Sequence, residues 1–408
     1  MLTRKNILVF NCGSSSLNCK VFSAAHTLDP KPIFSAKAHR VGVKGTQASF
    51  IDFKINGSSE KMTTDLPDHR TAAVKILRFL GSKGMSVDMI GHRFVHGGDF
   101  FQTSSMVNRD VLAKLHLCGP LAPIHNPISY SVIMASREEL PGMGQYVVFD
   151  TAYHSTIPSH AYVYPVPDHI VEKYHYRKFG FHGLSYSYVA QAVPRFLGVS
   201  PDSLRMVACH LGTGGSSVSA IFGGRSLDNS MGWSPLTGLV MSTRSGDIDP
   251  MLTLYLTVAN DLRPDDLLSL LTEKSGLLGI AEISSDLRDI IADVCPENRE
   301  RTSLAFDMYV HRLKKYVGSY VAVLGGIDVL VFTDDIGATN WLVRSKTCED
   351  MRWCGIELDE TVNRQTVEPK ATLVSSPDSK VKVVAMPTEE ERIIATEGLR
   401  FLEEGGLS

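Results

Sequence analysis

Near its start the sequence reads Ile7-Leu-Val-Phe-Asn-Cys-Gly-Ser-Ser-Ser16, and near its middle it reads Met206-Val-Ala-Cys-His-Leu-Gly-Thr-Gly-Gly-Ser-Ser217. In both stretches an apolar run leads into a turn of glycine and small polar residues, and a second strand follows at 17–22 and at 218–222. The pattern predicts strand, turn and strand in both places. Two unrelated hairpins would produce it, and so would a duplicated domain in which each half carries one phosphate-cradling turn.

Strands and helices alternate along the rest of the chain. Buried strands are predicted at 89–95, 146–149 and 329–332, and apolar residues recur every three or four positions from 304 to 323, as in a helix. The stretch 264–294 is rich in helical patterns and resembles an insertion between sheet elements. The predicted fold class is therefore α/β, with mixed layers of helices and sheets.

The composition sets the size and the class of the protein. The 408 residues are 43% hydrophobic, which is enough for a large core. At about 150 residues per domain, they predict two or three domains. The formal net charge is -3, and neither a run of Lys and Arg nor an acidic tail occurs. This balance argues against a nucleic-acid partner.

Neither a targeting segment nor a membrane span is expected. The apolar run at 7–10 is too short for a signal sequence, and no apolar stretch approaches the roughly 20 residues of a membrane helix. The seven cysteines are scattered and include no Cys-x-x-Cys pair. A disulfide framework or a structural zinc site is therefore not expected. We expect a cytoplasmic protein with no membrane partner.

The two small-residue turns carry groups that an anion would need. Glycine lets backbone N–H groups approach an anion, and the hydroxyls of Ser14 and Ser16 add donors in the first turn. That turn is not a P-loop, because the Gly-Lys-Ser/Thr ending is absent. Asn11, at the end of the first strand, is a candidate to hold a metal-bound water.

Two arginines stand in segments that suit anion binding. Arg93 follows an apolar run in the segment 89–98 and is expected near a strand end, whereas Arg244 lies in the turn-rich segment 241–250. A planar guanidinium binds carboxylate or phosphate through two hydrogen bonds. The two arginines together would suit a substrate with both kinds of oxygen. A structural ion pair is the alternative for Arg93.

An aspartate and two histidines add acid–base and hydrogen-bonding chemistry. Asp150 follows the strand 146–149, where a carboxylate commonly faces a ligand in α/β folds and can orient a nucleophile or accept a proton. Capping a helix is the alternative for this residue. His182, next to Phe181, either donates to charge on a transferring phosphoryl group or is a buried structural histidine. His125 lies in a proline-bounded loop, where a histidine usually bonds the backbone.

Three acidic segments complete the candidates. Asp286-Leu-Arg288 is typical of a helix cap with an ion pair, and a ligand group is the alternative. Residues 331–337 are predicted to form a strand that runs into the turn Asp334-Asp-Ile-Gly337. Glu389-Glu-Glu391 begins a helical pattern, where glutamates favour the helix dipole. Mg²⁺ binding is the alternative, because Mg²⁺ prefers oxygen ligands.

Taken in order, these segments resemble the acetate kinase family. The resemblance runs from Asn11 to Glu391, and an ordered set of this kind is highly specific. The motifs that carry it are FNCGSSSL, GHRFVHGG, APIHNP, FDTAYH, KFGFHGLSY, CHLGTGGSS, MSTRSGDIDP, GLLGIAEISSDLRD and MPTEEE.

The resemblance implies the fold shared by acetate and sugar kinases, Hsp70 chaperones and actin, with two duplicated ribonuclease H-like domains around a central cleft. The first domain would comprise residues 1–151 and recover the C-terminal helix 391–408. The second would comprise residues 152–390 and carry the phosphate-donor site. The resemblance also implies a homodimer and dependence on Mg²⁺, or on Mn²⁺ in its place.

The resemblance further implies a role for each catalytic candidate. Arg93 and Arg244 would hold the acyl phosphate and stabilise the transferring group, and Asp150 would orient or activate the carboxylate. His182 would stabilise the transition state. The chemistry would be in-line phosphoryl transfer, which depends on positioning and electrostatics.

Binding roles follow in the same way. Asn11 and Glu390 would position the metal. The small apolar pocket would suit acetate, while propionate would need modest extra room, and its implied residues are Val95, Ile124, His125, Phe181 and Pro235. The implied phosphate- and donor-binding residues are Ser14, Ser16, His210, Gly212, Thr213, Gly214, Gly215, Asp286, Arg288, Asp335, Ile336 and Gly337.

Three positions depart from the ATP-using members of the family. Those members usually have lysine at the position of Asn18, asparagine at that of Thr213, and a GGIGEN-like run under the nucleotide where this chain has Asp334-Asp-Ile-Gly-Ala-Thr339. Asp335 would add bulk and negative charge where glycine lets adenosine lie against the backbone. The pattern resembles the pyrophosphate-linked acetate kinase of amoebae, which uses the reaction between acetyl phosphate and inorganic phosphate.

The expected function is reversible phosphoryl transfer between acetyl phosphate and acetate, with phosphate and pyrophosphate as the partner pair. An ordinary ATP:acetate or ATP:propionate kinase, with ADP and ATP as partners, is the first alternative. A nucleotide-operated binding module like actin or Hsp70 is the second. Four residues favour catalysis over such a binding module: Arg93, Asp150, His182 and Arg244.

Overall fold

The structure is a computed structural model that describes residues 4–28, 31–43, 45, 47–55, 57–293 and 295–405. The chain divides into two compact units. Unit 1 comprises Met1–Tyr153 together with Glu389–Ser408, and unit 2 comprises His154–Thr388. In its described residues, each unit contains one β-sheet.

Within the described residues, unit 1 contributes eight strands and unit 2 contributes six. The strands of unit 1 are β1 (Lys5–Cys12), β2 (Ser16–Ala24), β3 (Phe34–His39), β4 (Phe50–Ile55), β5 (Ser58–Thr63), β6 (Met89–Phe94), β7 (Ser105–Met106) and β8 (Gln145–Phe149). Those of unit 2 are β9 (Arg205–Gly212), β10 (Gly215–Phe222), β11 (Arg225–Asn229), β12 (Val329–Thr333), β13 (Thr372–Leu373) and β14 (Lys382–Met386).

The same strand order recurs in the two sheets. In unit 1, β3, β2 and β1 are antiparallel neighbours, β6 and β8 continue the sheet in parallel, and β7 closes it in antiparallel fashion. In unit 2, β11, β10 and β9 are followed by β12, β14 and β13 with the same directions. Unit 1 adds β4 and β5 at its first edge. The recurrence confirms the duplicated domain predicted from the two similar turns.

Helices make up most of the remaining structure, and none among the described residues is both long and apolar enough to cross a membrane. The helices are α1 (His69–Ser82), α2 (Arg109–Leu117), α3 (Asn126–Glu139), α4 (Ser159–Tyr162), α5 (Asp168–Tyr174), α6 (Gly183–Leu197), α7 (Pro250–Ala259), α8 (Pro264–Glu273), α9 (Gly276–Ala281), α10 (Leu287–Ala292), α11 (Arg299–Val323), α12 (Asp334–Thr339), α13 (Trp341–Cys348), α14 (Glu360–Gln365) and α15 (Glu390–Gly405).

In unit 1, helix α15 packs closely on the parallel strands because two glycines make room for it. A Cβ on Gly91 would lie 2.4 Å from the ring of Tyr146 and 2.7 Å from Ile394, and one on Gly398 would lie 2.5 Å from the Tyr146 hydroxyl. That hydroxyl donates to the carbonyl oxygen of Ile394 at 2.6 Å. The start of α15 is thereby fixed relative to the strand ends of unit 1.

In unit 2, the main core joins the strands β9, β10, β12 and β14 to the long helix α11 and its neighbours. The helix-rich stretch predicted at 264–294 contains α8, α9 and α10, which lie between β11 and β12 along the chain. The insertion therefore leaves the order of the strands unchanged.

One local prediction is wrong. The segment 331–337 was expected to be a strand followed by a turn, but β12 ends at Thr333 and helix α12 begins at once with Asp334. The carboxylate of Asp335 accepts from the N–H of Ile336 at 2.8 Å, which satisfies one donor of the first helical turn. Ile336 and Gly337 are consequently buried inside a helix rather than exposed in a turn.

Candidate functional site

The parallel strands of unit 1 bring three predicted site residues together at one edge of its sheet. Asn11 lies near the end of β1, Arg93 near the end of β6, and Asp150 directly after β8. Arg93 donates from Nε to Asp150 Oδ1 at 2.9 Å and from Nη2 to Oδ2 at 2.6 Å. It also donates from Nη1 to Asn11 Oδ1 at 3.0 Å. We call Asn11, Arg93, Asp150, Glu390 and Glu391 the strand-end cluster.

The start of α15 completes this cluster with two carboxylates. Asn11 Nδ2 donates to Glu390 Oε2 and to Glu391 Oε1, both at 3.1 Å. Arg93 Nη1 lies 3.5 Å from Glu390 Oε2. Asn11 is therefore a bridge, because its carbonyl oxygen binds the arginine and its amide group binds both glutamates.

Burial and charge act in opposite directions on Arg93. Burial disfavours its charged form, but the attraction of Asp150 and then of Glu390 outweighs that effect and raises the pKa of the guanidinium above its usual range. Asp150 itself is 1% exposed. The structural ion pair considered for Arg93 is thus present, and Asp150 is its partner.

Sequence reasoning missed Lys20. Its Nζ lies 3.2 Å from Glu391 Oε2, so a lysine of β2 neutralises the second glutamate of the cluster. The signal that could have found it is the alternation of β2, which places Lys20 on the same face as Asn18. Asn18 was recognised as a departure from the lysine of the family, but the lysine two positions further on was not.

The first small-residue turn joins β1 to β2, with Cys12 paired to Leu17. The N–H of Gly13 donates to the carbonyl oxygen of Ser16 at 2.9 Å, and a Cβ on Gly13 would lie 2.8 Å from Ser16 Oγ. Ser14 is exposed and Ser16 is half-buried. Their role in phosphate binding stays a prediction.

In unit 2, two histidines of the predicted site stack on each other. The rings of His182 and His210 lie 4.1 Å apart at an angle of 26°. His182 Nδ1 shares a hydrogen bond with Ser217 Oγ at 2.8 Å, and His210 Nδ1 shares one with Ser185 Oγ at 2.9 Å. His182 precedes α6 with φ 59°, in the left-handed region that residues other than glycine rarely adopt. The hydroxyls fix both ring orientations.

Arg244 reaches the turn between β9 and β10. It donates from Nη1 to the Pro235 carbonyl oxygen at 2.8 Å and from Nη2 to that of Gly214 at 2.5 Å. A Cβ on Gly215 would lie 2.5 Å from Arg244 Nη2 and 3.6 Å from His182 Nε2, so the two side chains converge over this glycine.

No carboxylate among the described residues forms an ion pair with Arg244. Burial lowers the pKa of its guanidinium to about 10, so it is still charged at neutral pH. A cation held by carbonyl oxygens alone, beside a glycine turn and a histidine, is suited to an anionic ligand. This arrangement contrasts with Arg93, whose charge is compensated.

Two aspartates of α12 contact the same turn. Asp335 accepts from the N–H and from Oγ1 of Thr213, both at 3.0 Å. Asp334 Oδ2 lies 3.3 Å from His210 Nε2. Asp334, like the serines that hold the two histidines, was not recognised from the sequence, since its contact with His210 joins residues far apart along the chain.

The remaining predicted residues are placed as follows. Asp286 caps α10 and forms an ion pair with Arg288, which is the ordinary arrangement considered for that segment. Val95, Ile124 and His125 belong to unit 1, where Val95 is buried and Ile124 is 52% exposed. Phe181 and Pro235 belong to unit 2. The assignment of the substrate pocket stays a prediction.

Comparisons with known proteins agree over nearly the whole chain. The model of a family described as the Acetokinase family matches residues 6–396. An acetate kinase from Bacteroides thetaiotaomicron is 40% identical over 405 residues, which are 97% of this chain and 99% of that protein.

Two solved structures are similar throughout. An acetate kinase from Entamoeba histolytica has a TM-score of 0.87 and 42% identity, with 97% of this chain and 98% of that one covered. A propionate kinase from Francisella tularensis has a TM-score of 0.86 and 31% identity, with 96% and 98% covered.

The contrast between the two arginines predicts different effects on stability. Arg93→Ala would leave the carboxylate of Asp150 buried and unpaired, which typically costs about 3–5 kcal/mol of unfolding free energy. Arg244→Ala leaves no such carboxylate and should have a much smaller effect. Urea unfolding followed by circular dichroism measures both. Arg93→Ala/Asp150→Ala should recover part of the loss, and equal losses in the two single variants would contradict the prediction.

Proposed function

Since the chain belongs to the acetokinase family, we propose that it is a phosphotransferase that moves a phosphoryl group reversibly between acetyl phosphate and acetate. The observation that carries the proposal is the convergence of Arg244 and His182 over Gly215. A guanidinium without a carboxylate partner, a histidine held by a serine and a glycine turn are the groups that a transferring phosphoryl group needs.

Each side chain has a distinct task in this reaction. The bond between phosphorus and the acyl oxygen of acetyl phosphate breaks, acetate leaves as a carboxylate, and an oxygen of the acceptor forms the new bond to phosphorus. Arg244 and His182 stabilise the charge on the transferring group. Asp150 acts by fixing the orientation of Arg93 through two hydrogen bonds. Propionate is a related substrate, because a small apolar pocket discriminates weakly against one added methylene.

The strand-end cluster has the chemistry of a magnesium site. Among the residues described, no group of three or more His, Cys, Asp or Glu side chains is arranged to hold a metal by itself. Mg²⁺ commonly binds through one or two carboxylates together with substrate phosphates and water, so Glu390 and Asn11 suffice as the protein's share. When bound, Mg²⁺ or Mn²⁺ supplies positive charge that neutralises the phosphate oxygens.

We assign phosphate and pyrophosphate as the partner pair. The support is the pair of carboxylates that α12 directs at the β9–β10 turn, since their bulk stands where the ATP-using members of the family have glycines on which adenosine lies. A single phosphate is smaller and needs no surface for adenosine. An ordinary ATP-linked kinase remains the alternative outcome of the assay below.

We also propose a homodimer formed through helix α7. This helix, PMLTLYLTVA, is largely apolar but has no buried residue, and Met251, Tyr255 and Val258 are 62%, 69% and 81% exposed. An exposed apolar helix of this kind marks an interaction surface. A second copy of the chain is the occupant that the family resemblance implies.

We also propose a cytoplasmic location. All seven cysteines are free thiols, as is usual in a reducing compartment.

The first prediction from this proposal concerns the acceptor. With acetyl phosphate and Mg²⁺, phosphate should give a higher kcat/KM than ADP, because the carboxylates of Asp334 and Asp335 disfavour the nucleotide. Arg244→Ala is the control and should lose about 100-fold or more in kcat. Release of pyrophosphate and formation of ATP are measured under identical conditions. A clear preference for ADP would restore the ATP-linked alternative.

The second prediction concerns the metal. Glu390→Gln should weaken Mg²⁺ binding by about ten- to hundredfold, because it removes the charge that the cation would contact. Glu389→Gln is the matched control, since Glu389 is adjacent but exposed. Calorimetric titration with Mg²⁺ and the paramagnetic signal of Mn²⁺ report binding independently of activity. Equal effects of the two variants would leave only a helix-dipole role for these glutamates.

The third prediction concerns assembly. Val258→Glu should convert a dimer to monomers, because it places a charge on the apolar surface of α7. Trp353→Glu is the control, since Trp353 is also an exposed apolar residue of unit 2, at 71%, but lies outside α7. Sedimentation velocity distinguishes the two states. A wild-type protein that sediments as a monomer would rule out the proposed dimer.

A further inference from the structure

Three carbonyl oxygens of the first small-residue turn already have hydrogen-bond donors. The oxygen of Ser16 accepts from the N–H of Gly13, and that of Ser15 accepts from the N–H of Val41, both at 2.9 Å. The oxygen of Gly13 lies 2.9 Å from Nε2 of His69. His69 is the first residue of α1, so this helix supplies a side-chain donor to the turn.

The surroundings of His69 determine which ring nitrogen carries its proton. The residue is 6% exposed, and burial lowers the pKa of its imidazole below the usual value. The ring is therefore neutral at neutral pH, with a proton on one nitrogen. Because a carbonyl oxygen only accepts, this proton lies on Nε2, and His69 donates to Gly13.

This hydrogen bond also sets the direction of a neighbouring donor. The carbonyl oxygen of Gly13 and the N–H of Ser14 belong to the same peptide group, which is planar and trans, so they point in opposite directions. Because the oxygen faces the buried ring of His69, the N–H of Ser14 points away from it, and Ser14 is exposed. None of the backbone hydrogen bonds of the described residues is donated by this N–H.

The second turn shows what kind of partner such an N–H takes. Each turn has two residues between its last paired positions, 14–15 in the first turn and 213–214 in the second. Thr213 therefore corresponds to Ser14, and its N–H donates to the carboxylate of Asp335 at 3.0 Å. An anionic oxygen is thus the partner of the corresponding donor in this same chain.

We propose that His69 is a positioning residue, which directs the N–H of Ser14 at a phosphate group of the substrate. Backbone N–H groups of such turns form anion-binding concavities in many phosphate sites. The Ser16 hydroxyl lies beside this peptide group, since a Cβ on Gly13 would be 2.8 Å from its Oγ. His69 acts through the peptide group alone. The inference rests on the proposed function, in which a phosphoryl group is transferred.

A purely structural role is the competing explanation. Helix α1 packs against α3 and β2, and the ring of His69 could serve only to attach its first turn. Loss of the ring would then lower stability without changing the binding of an anion. The same helix start offers a control, because Asp68 accepts from the N–H of Thr71 at 2.7 Å and thereby caps α1.

Equilibrium binding separates the two roles. The Kd of pyrophosphate with Mg²⁺ is measured by calorimetry for the wild type, His69→Leu and His69→Gln. His69→Leu should bind pyrophosphate about ten- to hundredfold more weakly, the range for one lost hydrogen bond to a charged group. His69→Gln should stay within about threefold of the wild type, because its amide places a donor where Nε2 stands.

A second substitution covers the case in which His69→Leu does not fold. His69→Asn carries the same amide as His69→Gln on a shorter side chain, which places its donor at the position of Nδ1 instead of Nε2. It should therefore lose affinity as His69→Leu does. Full affinity in His69→Leu or in His69→Asn would overturn the inference.

Asp68→Ala is the matched control. It should lower the melting temperature by about 2 °C, because a lost cap destabilises a helix, and it should leave the affinity for pyrophosphate unchanged. A loss of affinity as large as that of His69→Leu would make the whole helix start responsible and would contradict a specific role of His69.

The outcome is distinguishable from failure of the proposed function. A wild-type protein that transfers no phosphoryl group from acetyl phosphate would refute that function, whereas the Kd values are measured without turnover and decide the role of His69 separately. A wild-type protein that binds no pyrophosphate would overturn the inference even if acetyl phosphate is consumed with ADP.

Discussion

The parallel pairing of three strands in each unit is the constraint on which the rest of the structure depends. Parallel neighbours end at the same edge of a sheet, so residues far apart in sequence become adjacent there. In unit 1 this edge collects Asn11, Arg93 and Asp150, and the glycines that admit α15 bring Glu390 to the same place. In unit 2 the ends of β9 and β12 place His210 beside Asp334 in the same way. Because the two units share one strand order, each of them has such an edge.

The two edges differ in how their charges are compensated. In unit 1 every charge of the strand-end cluster has a partner, since Asp150 and Glu390 lie against Arg93, and Lys20 lies against Glu391. In the described part of unit 2, Arg244 is held only by carbonyl oxygens. A buried compensated pair is costly to break and orients its members. A cation without a carboxylate partner is ready for an anionic ligand.

The sequence was sufficient for the features that depend on local pattern. Apolar runs and small-residue turns predicted the strands at both turns, and Arg93 and Asp150 were predicted at strand ends, where they lie. The prediction of a turn after β12 was wrong, because Asp-Asp-Ile-Gly is typical of a turn. In the structure, Asp334 lies beside His210 and Asp335 accepts from Thr213, and these two residues begin a helix. Lys20 and Asp334 were missed for a related reason. Their roles arise from contacts with Glu391 and His210, and such distant pairings are not encoded in a local pattern.

Because distant positions contact each other, the residue type at one position says little about specificity when it is considered alone. Aspartate at 335 alone would suggest only bulk and charge, and threonine at 213 alone would suggest a minor change in a glycine turn. In the structure the two side chains satisfy each other, while a Cβ at position 212 would displace the carboxylate of Asp334. A carboxylate that is built into a turn already uses the donors that it contacts, and a ligand that needs the same donors must offer better hydrogen bonds to displace it. The geometry of this turn therefore belongs to the whole set of contacts rather than to one residue.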